Sequence, residues 1–129
     1  MVAKELTQDL IEDGARLVRQ LDEMGHEPQA AFWMLVPEVE TWRLAIYEPD
    51  LANAGPQKGY RAIQRSLDRL DPPAQQLSLD NVVVLQPSTR LVDLLRVARR
   101  TGPGVSRIRL TSKAVDGELI PDAFLYRVT

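Results

Sequence analysis

The residues with the clearest capacity for binding chemistry are arginines set beside aromatic rings near the C-terminus. VSRIRL and AFLYRV alternate in hydropathy, and Asp116-Gly117 between them is the preferred pair for a two-residue type I′ hairpin. A turn there places Arg107 opposite Tyr126 and Arg109 opposite Phe124 on one side of the ribbon. Ile108, Leu110, Ala123 and Leu125 then fall on the other. Guanidinium over a ring is favourable by about 0.5–2 kcal/mol. The same face suits single-stranded nucleic acid, with bases on the rings and phosphates on the arginines. Arg96, Arg99 and Arg100 lie close by in sequence. Two other arrangements fit the same residues. The arginines can lay their stems over the aromatics and pair with an acidic N-terminal helix, or a bulge at Pro121 can shift the register and bury the rings.

Other chemistry is narrowed by exclusion. The chain has 129 residues, no Cys and one His. Cysteine nucleophiles, thiolate zinc sites, iron–sulfur clusters and disulfides are therefore excluded. The lone His26 sits in a Gly-His-Glu-Pro loop with no acid or hydroxyl at a recognisable spacing. Arg99-Arg100-Thr101-Gly102-Pro103-Gly104 matches an acetyl-coenzyme A loop pattern, but that loop must follow a strand and open a helix, and here the order is reversed. Neither Lys58 nor Lys113 has Glu two positions before it, so the Asp…Glu-x-Lys pattern of metal-dependent nucleases is missing. Glu38, Glu40, Glu48 and Asp50 flank a hairpin, where such charges are ordinary. No catalytic residue, cofactor or metal is expected, and the balance leans away from an enzyme.

Charge is unevenly spread. Residues 1–50 carry a balance of −7, residues 51–86 of +1, residues 87–113 of +6 and residues 114–129 of −2, for a net −2. Such asymmetry hints at partners or self-association. With no apolar run long enough to span a bilayer and an acidic, amphipathic start, a cytoplasmic location and no membrane contact are expected.

These side chains need a scaffold, and the sequence supplies one domain over 1–129. Leu6, Leu10, Leu17, Leu21 and Met24 recur at helical spacing, predicting a helix over 4–24. Residues 30–48 read as two strands joined near Pro37. Pro56 opens a second helix with Tyr60, Ile63, Leu67 and Leu70 inward. NVVVL, residues 81–85, reads as a buried central strand. Ser88 or Thr89 caps a third helix ended by Gly102-Pro103-Gly104. The order α-ββ-α-β-α-ββ predicts an α+β fold with α/β-like layers: a mixed five-stranded sheet with about three helices, parallel neighbours being favoured at the two helical connections. Trp33, Leu35, Leu44, Ile46, Val83, Leu94, Ile108 and Leu110 are the expected core.

The stretches WRLAIYEP, NVVVLQPSTRLVDLLR and TGPGVSRIRL through VDGELIPDAFLYRV resemble a group of small bacterial single-domain proteins. The resemblance implies a free-standing domain and transfers no activity, cofactor or catalytic residue. The expectation is therefore a small non-catalytic accessory module that binds another protein or itself as a homodimer. Two alternatives stand beside it: a nucleic-acid-binding protein using residues 87–113 and the C-terminal hairpin, and an enzyme whose site assembles only in three dimensions.

Overall fold

A computed structural model describes residues 3–87 and 89–129. Helix α1 (Gln8–Glu23) starts where the Thr7 hydroxyl accepts from the Leu10 N–H at 3.2 Å, later than the periodicity alone suggested. Strands β1 (Ala30–Val36) and β2 (Thr41–Tyr47) form the first hairpin. A short helix α2 (Pro49–Ala54), which the sequence did not announce, is capped by the Glu48 side chain and leads into α3 (Pro56–Asp68). A 3₁₀ turn (Leu79–Asn81) runs into β3 (Val82–Val84), followed by α4 (Arg90–Ala98). Thr89 occupies the N-cap of α4 without a side-chain cap bond, and the alternative cap, Ser88, lies outside the described residues. Strands β4 (Ile108–Leu110), β5 (Lys113–Val115), β6 (Glu118–Ile120) and β7 (Ala123–Val128) complete the chain.

The fold is α+β, with a mixed five-stranded sheet in the order β3-β2-β1-β7-β4 and a separate two-stranded sheet of β5 and β6. Only β2–β3, joined through α3, is parallel. The second helical connection differs from expectation: β3 and β4 lie at opposite edges, so α4 spans the sheet instead of joining parallel neighbours. NVVVL is likewise an edge strand, not a central one. It is buried because α3 and the 3₁₀ turn cover it, and the Tyr60 hydroxyl accepts from the Val84 N–H at 3.1 Å where a sixth strand would pair. β1 takes the centre.

Both sheet faces are covered. On one, Leu10, Leu17 and Leu21 of α1 and Ile63 of α3 pack on Trp33, Leu44, Ile46 and Tyr126. On the other, Val92 and Leu95 of α4, with Val115 and Ile120 of the small hairpin, pack on Phe32, Ala45 and Leu125. Each such side chain withdrawn from water contributes about 1.5–3 kcal/mol before entropy is subtracted. Trp33, Leu44, Ile46 and Leu94 are buried as expected, while Leu35, Val83, Ile108 and Leu110 are half-buried.

The closing ribbon keeps the predicted register from Ile108–Leu125 to Val115–Glu118, but the expected Arg107–Tyr126 pair does not form: the Ser106 N–H donates to Tyr126 O at 2.7 Å instead. Ile108 faces Leu125, Arg109 faces Phe124, and beyond a bend Lys113 faces Ile120 and Val115 faces Glu118. Asp116 (φ 51°) and Gly117 (φ 78°) are both left-handed, as a type I′ turn requires. Pro121 introduces no shift. The irregularity falls at Tyr126 instead, because Arg127 pairs with Ala31 and Leu125 with Phe32, leaving Tyr126 as the extra residue.

Candidate binding surface

The hairpin arginines and aromatics do converge on one side, but their groups bind each other and α1. Arg107 forms two parallel bonds to the Glu12 carboxylate, at 2.8 and 2.9 Å. That contact lowers the Glu12 pKa and raises that of Arg107. The Arg109 guanidinium lies 5.0 Å from the Trp42 ring centre, with Asp122 at 3.9 Å. Phe124 is half-buried and meets Tyr126 edge-to-face at 5.6 Å. Tyr126 is fully buried: its hydroxyl accepts from Trp33 Nε1 at 2.9 Å and donates to Ile11 O at 2.6 Å. A base has no access to that ring. Arg107 is thus paired with the acidic helix, and the Arg109 guanidinium lies over Trp42 of β2 rather than over the hairpin rings.

The remaining predicted residues stand elsewhere. Arg96 on α4 is anchored by Thr129 O, Gln29 Oε1 and Asp93, at 2.9, 2.9 and 3.2 Å. Arg99 and Arg100 follow α4, exposed and without a side-chain partner among the described residues. Since α4 covers the opposite sheet face from Trp42 and Tyr126, the seven residues form no continuous plane. Arg127, outside that set, is buried and held by Asp22 at 2.8 and 2.9 Å.

Unneutralised positive charge instead collects on α3. Lys58, Arg61 and Arg65 of α3 and Arg69, its C-cap, are all exposed, and none makes a side-chain hydrogen bond or ion pair among the described residues. Their spacing of three, four and four places them within about 80° of helix circumference, in a row about 16 Å long. Ile63 and Leu67 hold the opposite side in the core, so the row faces outward. At its C-terminal end, Arg69 meets Arg16 and Arg19 of α1 around a shallow cleft of about 240 Å³, with Glu23 and Asp71 on the rim. Arg16 is engaged there by the Pro72 carbonyl. Asp68, the carboxylate of α3, flanks the row and accepts from Gln64 at 2.9 Å.

Comparison with known proteins gives no match to a family model, a curated protein or a solved structure. The site therefore rests on its own geometry.

A larger cleft of about 580 Å³ opens between β2, α3 and the 3₁₀ turn, lined in part by Trp42, Arg43, Tyr60, Asp80 and Asn81. Its size suits a small ligand. Its polar groups have internal duties: Tyr60 caps Val84, Arg43 donates to Asp80 O at 3.3 Å, and Asn81 Oδ1 accepts from Ser78 N at 3.0 Å. Among the described residues no group of three or more His, Asp or Glu is placed to hold a metal ion, and no helix is long and apolar enough to cross a membrane.

The sequence reading missed the α3 row because it averaged charge over residues 51–86, where Asp68, Asp71 and Asp80 offset the same four cations. The 58-61-65-69 spacing was the signal that would have found it.

Proposed function

We propose that this chain is a non-catalytic binding module that meets an anionic partner through the outward row of α3. The observation carrying this reading is the contrast between two sets of cations. Arg90, Arg96, Arg107, Arg109 and Arg127 are each engaged by a carboxylate of the same chain. Lys58, Arg61, Arg65 and Arg69 are not, and while Lys4, Arg19, Arg99, Arg100 and Lys113 also lack an ion pair among the described residues, those five are scattered over other elements and form no such row. Like charges at helical i,i+4 spacing repel, and removing them costs no packing. The helix dipole favours Arg65 and Arg69 at the C-terminal end, but no carboxylate of the chain engages any of the four, which leaves the row open to an anionic partner.

The test is retention on heparin, a generic polyanion. The native protein should elute at distinctly higher salt than K58Q/R61Q/R65Q/R69Q, both keeping the same circular dichroism. Equal elution positions overturn the reading.

Self-association is the second reading. Glu38 and Glu40 flank Val39 at the tip of the first hairpin, where Val39 is 57% exposed, giving an acidic, partly apolar knob complementary to the α3 row of another copy. Sedimentation over a wide concentration range decides it: a mass that rises with concentration and falls back in E38Q/E40Q supports it, and a constant monomer mass rules it out.

A further inference from the structure

Resting on that reading, we infer that the α3 row takes the phosphate backbone of a nucleic-acid duplex without reading its sequence. Three features of the face separate this partner from others with negative charge. The first is the absence of apolar contact area. Among the described residues the exposed large hydrophobic side chains are Val39, Val97 and Leu119, none of them on α3. A protein interface is built around buried aromatic and aliphatic anchors. A membrane-surface helix must insert its apolar face, and the apolar face of α3 is already spent on the sheet.

The second is the absence of a stacking platform. The aromatic residue of α3, Tyr60, points inward and its hydroxyl is bonded to Val84 N. Single-strand binders combine cations with exposed rings, whereas a duplex keeps its bases stacked and offers phosphates alone. The third is dimension. A straight row about 16 Å long gives each of its four cations room for a separate phosphate along the duplex surface, on one strand and, as that strand winds away, on the other. Three of the four cations are arginines, whose planar forks match phosphate oxygens. Arg19 lines the same shallow cleft as Arg69.

Four phosphate contacts predict that log affinity falls against log salt with a slope of about −3.6, roughly a 150-fold loss between 50 and 200 mM. Anisotropy with labelled duplexes of two unrelated sequences is the measurement, beside labelled oligo-dT, polyglutamate and vesicles containing phosphatidylserine. Both duplexes should bind alike with that slope. R65Q should reduce it to about −2.7, and K58Q/R61Q/R65Q/R69Q should abolish binding. D68N, which removes the flanking negative charge, should tighten it. Polyglutamate or vesicles bound as tightly as the duplex would overturn the assignment to nucleic acid while leaving an anion-binding face in place. Tighter binding of oligo-dT would overturn the choice of duplex. Heparin retention lost in the quadruple variant, with no duplex binding at about 20 mM salt, would sink this inference alone. Indifference of every probe to the quadruple variant would sink both.

Discussion

Trp33 on the central strand donates its indole N–H to the Tyr126 hydroxyl at 2.9 Å, and both side chains are fully buried. Tyr126 passes the chain of hydrogen bonds on to the Ile11 carbonyl of α1 at 2.6 Å. The two rings thus tie the first helix to the sheet through a fully satisfied polar link. Tyr126→Phe should leave the indole N–H and the carbonyl without this partner and cost about 1–3 kcal/mol in chemical denaturation. Burial also raises the phenol pKa far above its ordinary value, against the opposing donation from Trp33. The folded state therefore holds a proton that the unfolded chain releases near pH 10, so stability is present below that pH and declines above it. Denaturation between pH 9 and 11 should show a steeper loss in the native protein than in Tyr126→Phe.

Gly14 exists for the same contact. A Cβ at this position would collide with the Tyr126 hydroxyl and lie 2.9 Å from Trp33 Nε1. Both neighbours are buried and held by the hydrogen bond, so neither yields cheaply. In an exposed helix Gly→Ala would stabilise by about 1 kcal/mol. Here Gly14→Ala should destabilise by about 1–3 kcal/mol, because α1 must lift off the sheet. An unchanged or raised melting temperature would show that α1 does not approach so closely.

Glu12 and Arg107 give the protein an acid-sensitive contact. The two bonds from Arg107, larger in effect than the opposing desolvation, lower the Glu12 pKa below its ordinary value. A depressed carboxylate contributes stability above its unfolded pKa, and the contribution is lost as pH falls through the folded one. Glu12→Gln should therefore flatten the stability profile below about pH 5 and change little at pH 7 to 8 beyond the loss of a half-exposed pair. Melting temperatures across pH 3 to 8 in both proteins check this. Parallel profiles would mean that the pair does not form in solution.

How much of this was legible beforehand follows from the range of the interactions involved. The C-terminal ribbon was readable to the residue because Asp116-Gly117 and two-residue alternation are local signals, and its register held across the bend at Pro121. The burial of Tyr126 was not, because it depends on Trp33, 93 positions away, and on a helix lacking a side chain at Gly14. NVVVL read as central because apolar runs signal burial, while its edge position is set by which strands pair, a long-range choice. The candidate surface failed to follow the arginine count for a related reason. Where a cation is neutralised depends on which acidic residue the fold brings to it, and the N-terminal acids reach residues 107 and 127 rather than α3.

Arg127 provides the sharpest test of that neutralisation. Its side chain is 5% exposed, and the bulge at Tyr126 sets it beside α1, where Asp22 forms two parallel bonds and the carbonyls of Pro28 and Gly104 accept two more. Every guanidinium partner is supplied by protein, so removing the carboxylate leaves a buried charge facing only carbonyls. Breaking such a pair costs about 3–5 kcal/mol when one partner stays behind, at the lower end here because Asp22 keeps 30% exposure and water can enter. Asp22→Ala should thus destabilise far more than Glu12→Ala, although each cuts one two-pronged contact to an arginine. Arg127→Met in the Asp22→Ala background should recover part of the loss, since it removes the stranded charge and fills its space. Equal costs for the two single variants in a double-mutant cycle would show that burial does not set the strength of these pairs.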